Sequence, residues 1–220
     1  MKKEIECMCE HKFEIELPDS IDLKADPHYL NEINNGTFQT HTCPECGNNL
    51  KPEFPLLVKH TPGNHNIFMV PEPYRLTFLR GKYDTKQADR VVIGYPELVE
   101  KLQIFSDNLK DDTIEIIKYH LFKKAEESQG DETLDTDENT DNSFKNLGNS
   151  GISIYFHGYK DDNLTFHVHG LRKNEIGVTS ISSSLYRDIN DNMEIRYSDE
   201  MFVRMLKPPY VSINSLLLEE

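Results

Sequence analysis

Two thiols three residues apart, in Cys43-Pro44-Glu45-Cys46, followed by Gly47, are the residues of this chain best placed to do chemistry. At that spacing both sulfurs reach one metal ion, while Pro44 stiffens the turn and Gly47 permits the positive φ with which such a turn closes. Cys7 and Cys9 are the other two cysteines. Four match the ligand count of tetrahedral zinc, and a site closed by four thiolates leaves no position for water or substrate, so its role is structural. The first pair is tighter, Cys7-Met8-Cys9 having one intervening residue, which makes His11 an alternative ligand and His41, beside the second pair, another. A disulfide and free thiols are the readings without metal.

The compartment bears on that choice. Met1-Lys2-Lys3-Glu4-Ile5-Glu6 has basic residues with no apolar stretch behind them, so no secretory signal is expected. No run approaches the roughly 20 apolar residues of a membrane span. The expected localisation is cytoplasmic, where reducing conditions keep thiols available for metal.

Charge limits the partners. With 24 Lys+Arg against 38 Asp+Glu, the formal charge of −14 presents a repulsive field to nucleic acid. Eight of the carboxylates, from Glu126 to Asp141, form a run free of Lys and Arg, yet the rest of the chain is still acidic. A locally basic patch such as Arg75, Arg80, Lys82 and Lys86 keeps nucleic-acid binding disfavoured rather than excluded. The partner class expected is another protein, with no membrane contact, and with self-association through helix faces as a second option.

The acidic run also divides the chain. Residues 128–150 offer only Leu134, Phe144 and Leu147 as large apolar side chains, too few to offset the entropy of ordering them. The expected organisation is a metal-stabilised unit over 1–125, a flexible acidic linker over 126–150, and a small α+β unit over 151–220. A long surface loop within one domain is the alternative.

Periodicity supplies the elements that must position the cysteines. Phe13, Ile15 and Leu17 alternate with Lys12, Glu14 and Glu16 as a half-buried strand that Pro18 ends. Asp26-Pro27 starts a short helix carrying Tyr29, Leu30 and Ile33, with Gly36 at its far end. Strands are expected at 38–42 and 49–54, flanking the second cysteine pair, and at 56–59, 66–70, 75–79 and 90–93. Two turns clamped on one ion, with the short helix between them, follow the order of a zinc ribbon. Helices are expected around Leu98, Leu102 and Phe105 and around Ile114, Ile117 and Phe122, their apolar faces covering the ribbon's sheet.

Several local patterns follow in order from about residue 4 to 124: Leu17-Pro18-Asp19-Ser20-Ile21-Asp22, Asp26-Pro27, Asn35-Gly36-Thr37-Phe38, Cys43-Pro44-Glu45-Cys46-Gly47, Pro55-Leu56-Leu57, Arg90-Val91-Val92, and the segments Leu98-Val99-Glu100-Lys101-Leu102 and Ile114-Glu115-Ile116-Ile117-Lys118. Together they resemble the CpXC family of bacterial and archaeal proteins. The resemblance implies that Cys7, Cys9, Cys43 and Cys46 occupy the family's four cysteine positions. It implies no particular reaction. Cys7-Met8-Cys9 departs from the family's pattern by lacking the proline and one residue.

The C-terminal stretch opens with a hairpin. Ile152, Ile154 and Phe156, then Leu164, Phe166 and Val168, alternate with polar residues across Asp161-Asp162-Asn163. The polar face collects Tyr155, His157, His167 and His169, a place where a second metal or a proton-transfer pair could sit, or simply a solvated strand face. His60 and His65 with Asp84 or Asp89 are further general-base candidates. Ser198-Asp199-Glu200 caps a short helix that Pro208-Pro209 stops. Together these residues describe an α+β protein: a zinc-ribbon-like antiparallel β unit with packed helices, plus the small C-terminal α+β unit. The expected function is an intracellular, zinc-stabilised protein-binding module without catalytic residues. The alternative is a metal-dependent hydrolase centred on His157, His167 and His169.

Overall fold

The computed structural model describes residues 2–85, 88–130 and 151–218. They fall into two compact units, residues 1–99 and 100–220. The expected acidic linker lies, beyond residue 130, outside the described residues.

In the first unit, β1 (Lys2–Glu6) and β2 (Lys12–Glu16) form an antiparallel hairpin whose turn carries Cys7 and Cys9. After β3 (Ser20–Asp22) and the one-sided helix α1 (His28–Asn34), which buries Ile33, a second short hairpin forms from β4 (His41–Thr42) and β5 (Asn49–Leu50). It carries Cys43 and Cys46 in its turn. The unit also holds a four-stranded sheet ordered β3-β6-β7-β8, with β6 at Leu56–Lys59, β7 at Ile67–Val70 and β8 at Arg90–Ile93. Its outer pairings are parallel and its central one antiparallel. The unbroken apolar runs Ile67-Phe68-Met69-Val70 and Val91-Val92-Ile93 suit strands covered on both faces, and all seven side chains are buried.

One expected strand is a helix. Residues 75–79 form α2 (Arg75–Leu79), entered through a 3-10 turn at Glu72–Tyr74 and fixed by Arg75, which donates to both carboxylate oxygens of Glu72 at 2.6 and 2.8 Å. Five residues of alternation are too few to separate the two periods, and the i,i+3 ion pair decides for the helix. The same Arg75 also donates to Glu97 at 3.1 Å, which ties up one cation of the expected basic cluster.

The helix α3 (Gly94–Ser106) crosses the boundary between the units. Its start is held within the first unit: the Tyr95 N–H donates to Glu53, and the Ile93 N–H donates to Glu97 in the helix's first turn. Gly94 takes φ +73°, and a β-carbon there would come within 3.3 Å of the Glu53 and Glu72 carboxylates.

The second unit is built around α4 (Asp111–Gly130), which packs on a three-stranded antiparallel sheet of β9 (Ser153–Lys160), β10 (Asn163–Arg172) and β11 (Glu175–Ser182). The sheet contributes Ile154, Phe156, Leu164, Phe166 and Val168 to the core, as the alternation requires. α4 was expected to cover the ribbon's sheet; its described packing in this unit is against β9, against α5 (Ser183–Asp191) and against the 3-10 turn Ile213–Leu218. α5 starts on Ser182, whose hydroxyl accepts the Ser184 N–H. Two short helices, α6 (Met193–Arg196) and α7 (Glu200–Met205), complete it, α7 capped by Asp199 accepting the Phe202 N–H.

Five charged residues lie inside this unit, each at most 3% exposed. Lys118 donates to Glu100 at 2.8 Å and to Glu115 at 3.0 Å; Lys101 donates to Asp111 at 3.0 Å and to the Val211 carbonyl at 2.9 Å. The second carboxylate oxygens of Glu100 and Glu115 take backbone donors, Glu100 from Phe156 at 2.6 Å and Glu115 from Ile213 at 2.8 Å. Buried charges persist when paired and fully hydrogen-bonded, and here the pairing also fixes β9 and the C-terminal segment to the helices.

Candidate metal centre

The two hairpin turns bring four sulfurs together. The Sγ atoms of Cys7, Cys9, Cys43 and Cys46 all lie within 4.8 Å of one another, Cys7 and Cys43 buried, Cys9 and Cys46 exposed. The short separations run between the turns: Cys7 to Cys46 is 3.6 Å and Cys9 to Cys43 is 3.7 Å. Four sulfurs each about 2.3 Å from a central zinc stand about 3.8 Å apart along the edges of a tetrahedron. The cluster therefore fits a tetrahedral metal, and all four cysteines are free thiols.

Local backbone geometry makes this possible. In the second turn Cys43 N–H donates to Asn48 O at 2.8 Å and Gly47 N–H to Cys43 O at 3.0 Å, with Gly47 at φ +74°. In the first turn Cys7 N–H donates to His11 O at 2.9 Å and Glu10 N–H to Cys7 O at 2.8 Å, with Glu10 at φ +68°. Each turn thus closes on the residue after its second cysteine. The tighter Cys-x-Cys pair is accommodated by a loop one residue shorter.

The sulfurs differ in acidity. Burial opposes ionisation of Cys43, but the backbone N–H groups of Cys46 and Glu45, joined by the thiols of Cys46 and Cys7, outweigh it and bring its pKa down to about 6. At Cys9 the His11 backbone N–H favours the thiolate, yet the sulfurs of Cys46, Cys7 and Cys43 together with burial push it up to about 12. Thiolates are the metal-binding form, so a cation held by these four cysteines would displace the protons that the cluster retains.

Neither histidine alternative joins the cluster. His11 contributes its backbone and stacks its ring near Phe13 at 6.1 Å, and the group within ligand reach consists, among the described residues, of the four cysteines alone. His41 sits in β4 with Nε2 buried and without a hydrogen-bond partner among the described residues, and burial lowers its pKa.

With this geometry in place, the matching family is informative: residues 5–118, just over half of the chain, match the family described as CpXC protein. The chain belongs to the CpXC family. A relative from Treponema pallidum (strain Nichols), described as an uncharacterized protein, is 23% identical over 236 aligned positions that span 98% of this chain and 99% of the relative. No solved structure matches. The CpXC match contains both cysteine turns and all five buried charges, whereas the backbone groups of Phe156, Val211 and Ile213 that those charges hold lie beyond it.

The other candidate sites are less assembled. Of the general-base candidates, His60 donates from Nδ1 to the Asp22 carboxylate at 2.9 Å, and Asp89 accepts the Asn66 N–H at 2.8 Å. On the second unit's sheet, His157 and His167 stack at 4.0 Å between ring centroids with planes 21° apart, and His169 meets the edge of Tyr155 at 5.7 Å. Burial, then the neighbouring His157 and His169, lower the pKa of His167. Among the described residues these three histidines form no ligand group, either with one another or with a Cys, Asp or Glu.

A feature that local sequence patterns do not reveal is an open cleft of about 610 Å³ in the first unit, with Phe54, Tyr74 and Tyr83 among its walls and Asp19, Lys82 and Asp84 beside them. The Tyr74 and Tyr83 rings lie 5.6 Å apart at 52°, and Tyr74 is half exposed. The cleft draws on five separate stretches of chain, which is why no single motif announces it.

Proposed function

We propose that this CpXC chain is an intracellular protein-binding module whose first unit is held together by one structural zinc on Cys7, Cys9, Cys43 and Cys46. The observation that carries it is the four-sulfur cluster: thiolates select soft or borderline metals, and a tetrahedron of four protein ligands leaves no coordination position for a reacting group. The metal would clamp the two hairpins, supplying rigidity and no reaction step. The half-exposed Tyr74 beside Tyr83 and Phe54 in the open cleft supports protein contact, since such amphipathic rings contribute contact area at little entropic cost.

The metal-dependent hydrolase reading has one observation in its favour, the stacked His157 and His167 pair, but lacks a further ligand beside it. Affinity capture with the zinc-loaded full chain separates the two. The same partner, identified and reconstituted from purified components, should bind wild type and the His157→Ala, His167→Ala, His169→Ala triple variant alike and be lost with Cys46→Ala. Stoichiometric binding of a second metal that falls as pH drops through about 6.5, together with hydrolysis abolished in the triple variant, would overturn the module reading.

A further inference from the structure

The three-stranded sheet of the second unit has two edges, and they are treated differently. On the β9 edge the Phe156 N–H donates to Glu100 at 2.6 Å and the Tyr159 N–H to Asp107 at 3.0 Å, and the β9 to β10 register shifts at a bulge between Thr165 and Phe166. Carboxylate partners and a bulge are devices that close an edge to further pairing. On the other edge, β11 runs eight residues from Glu175 to Ser182, and its register with β10 is unbroken from Asn163↔Ser182 to His169↔Ile176. It contains no proline and no lysine. No hydrogen bond from another described element reaches its outer backbone groups.

Side chains on that strand point the same way. Ile176 and Val178, two residues apart and hence on one face, are 56% and 66% exposed. Residues 176–186 include no Asp, Glu, Lys or Arg, in a chain of net charge −14 that repels its own copy elsewhere. An uncharged edge is where two such chains can meet without opposed carboxylates.

We infer that β11 is a self-association edge: two copies pair antiparallel along β11 with Val178 of one opposite Val178 of the other, joining their sheets into one of six strands. A two-fold axis normal to the sheet maps each face onto itself, so Ile176 and Val178 of one copy share a face with those of the other. The row Tyr155, His167, Val178, set by the β9 to β10 to β11 register, then continues into its symmetry mate. A pair of eight-residue strands buries less than the roughly 1,600 Å² of a standard interface, so micromolar dissociation is expected. The edge lies outside the metal centre, and the dimer stands or falls separately from the zinc.

Sedimentation of the full chain from about 1 µM to about 1 mM tests this, with hydrogen exchange at both ends of the range. Wild type should show a monomer–dimer equilibrium, and the amides of β11 should gain protection at high concentration. Val178→Lys, which sets like charges against each other across the axis, should weaken the dimer at least about tenfold, whereas Val203→Lys, at an exposed apolar position on α7, should leave it unchanged. A monomer throughout, or a dimer indifferent to Val178→Lys, overturns the inference.

Discussion

Glu10 and Gly47 occupy equivalent positions in the two cysteine turns: each follows the second cysteine of its pair, and each adopts a left-handed backbone, at φ +68° and +74°. Each turn then pairs the next residue's carbonyl, His11 or Asn48, with the N–H of its first cysteine. Shortening the spacing from two residues to one has preserved the manner of closure. It has left a glutamate where the conformation favours glycine.

Glu10→Gly should therefore stabilise the first unit, by about 0.5–1 kcal/mol, because a side chain in the left-handed region costs roughly 1–2 kcal/mol and the added freedom of an unfolded glycine offsets part of the gain. Gly47→Ala should do the reverse by about 1 kcal/mol, through backbone strain alone, since nothing lies within 4 Å of the new β-carbon. Denaturant unfolding of metal-loaded protein gives both signs. The same sign for both substitutions would show that the turns are not equivalent.

The cysteine set was legible because its signal is local spacing, and the strands at 12–16, 56–59, 67–70 and 90–93 because their alternation or apolar runs are self-sufficient. β11 and α5 were missed because Ser180-Ile181-Ser182-Ser183-Ser184 has little apolar content, and only pairing with β10 makes its first part a strand. The buried charges were hidden for a different reason. Glu100 and Lys101 are adjacent on α3 and both 3% exposed, a pattern that a one-sided amphipathic helix excludes and that depends on partners up to 110 residues away. The cleft and the His60 pairing with Asp22 are likewise products of long-range assembly.

Removing one partner from the buried network leaves unmatched charge in the core. Lys118→Met should destabilise the second unit by about 3–5 kcal/mol, since Glu100 and Glu115 both lose their shared cation. Chemical denaturation monitored in the second unit measures this directly. A loss under about 1 kcal/mol would indicate that the network is hydrated in solution.

Glu100 gives that unit a pH dependence. Burial is the largest influence on it and Lys118 opposes that burial, with Glu115 adding to it; the outcome is a pKa raised from 4.5 to about 7. The folded state then holds a proton that the unfolded state has released between those values, so this contribution to stability is complete below about 4.5 and lost as pH rises through about 7. Comparing wild type with Glu100→Gln at several pH values isolates the contribution of Glu100 and its coupled partners Lys118 and Glu115, because titrating groups away from this network affect both proteins equally. The wild type should lose stability relative to the variant as pH rises from 5 to 7.5; an unchanged difference, or one of opposite sign, would show that Glu100 is ionised throughout.

Metal content is the most direct test of the central claim. Elemental analysis of the purified full chain should find one zinc per chain, and strong chelator should unfold the first unit, because structural zinc contributes on the order of 10–16 kcal/mol to the folding of zinc-finger peptides. Cys46→Ala should match the chelated wild type. A metal-free chain that keeps its melting temperature in chelator would contradict the zinc assignment, as would another metal at the same stoichiometry.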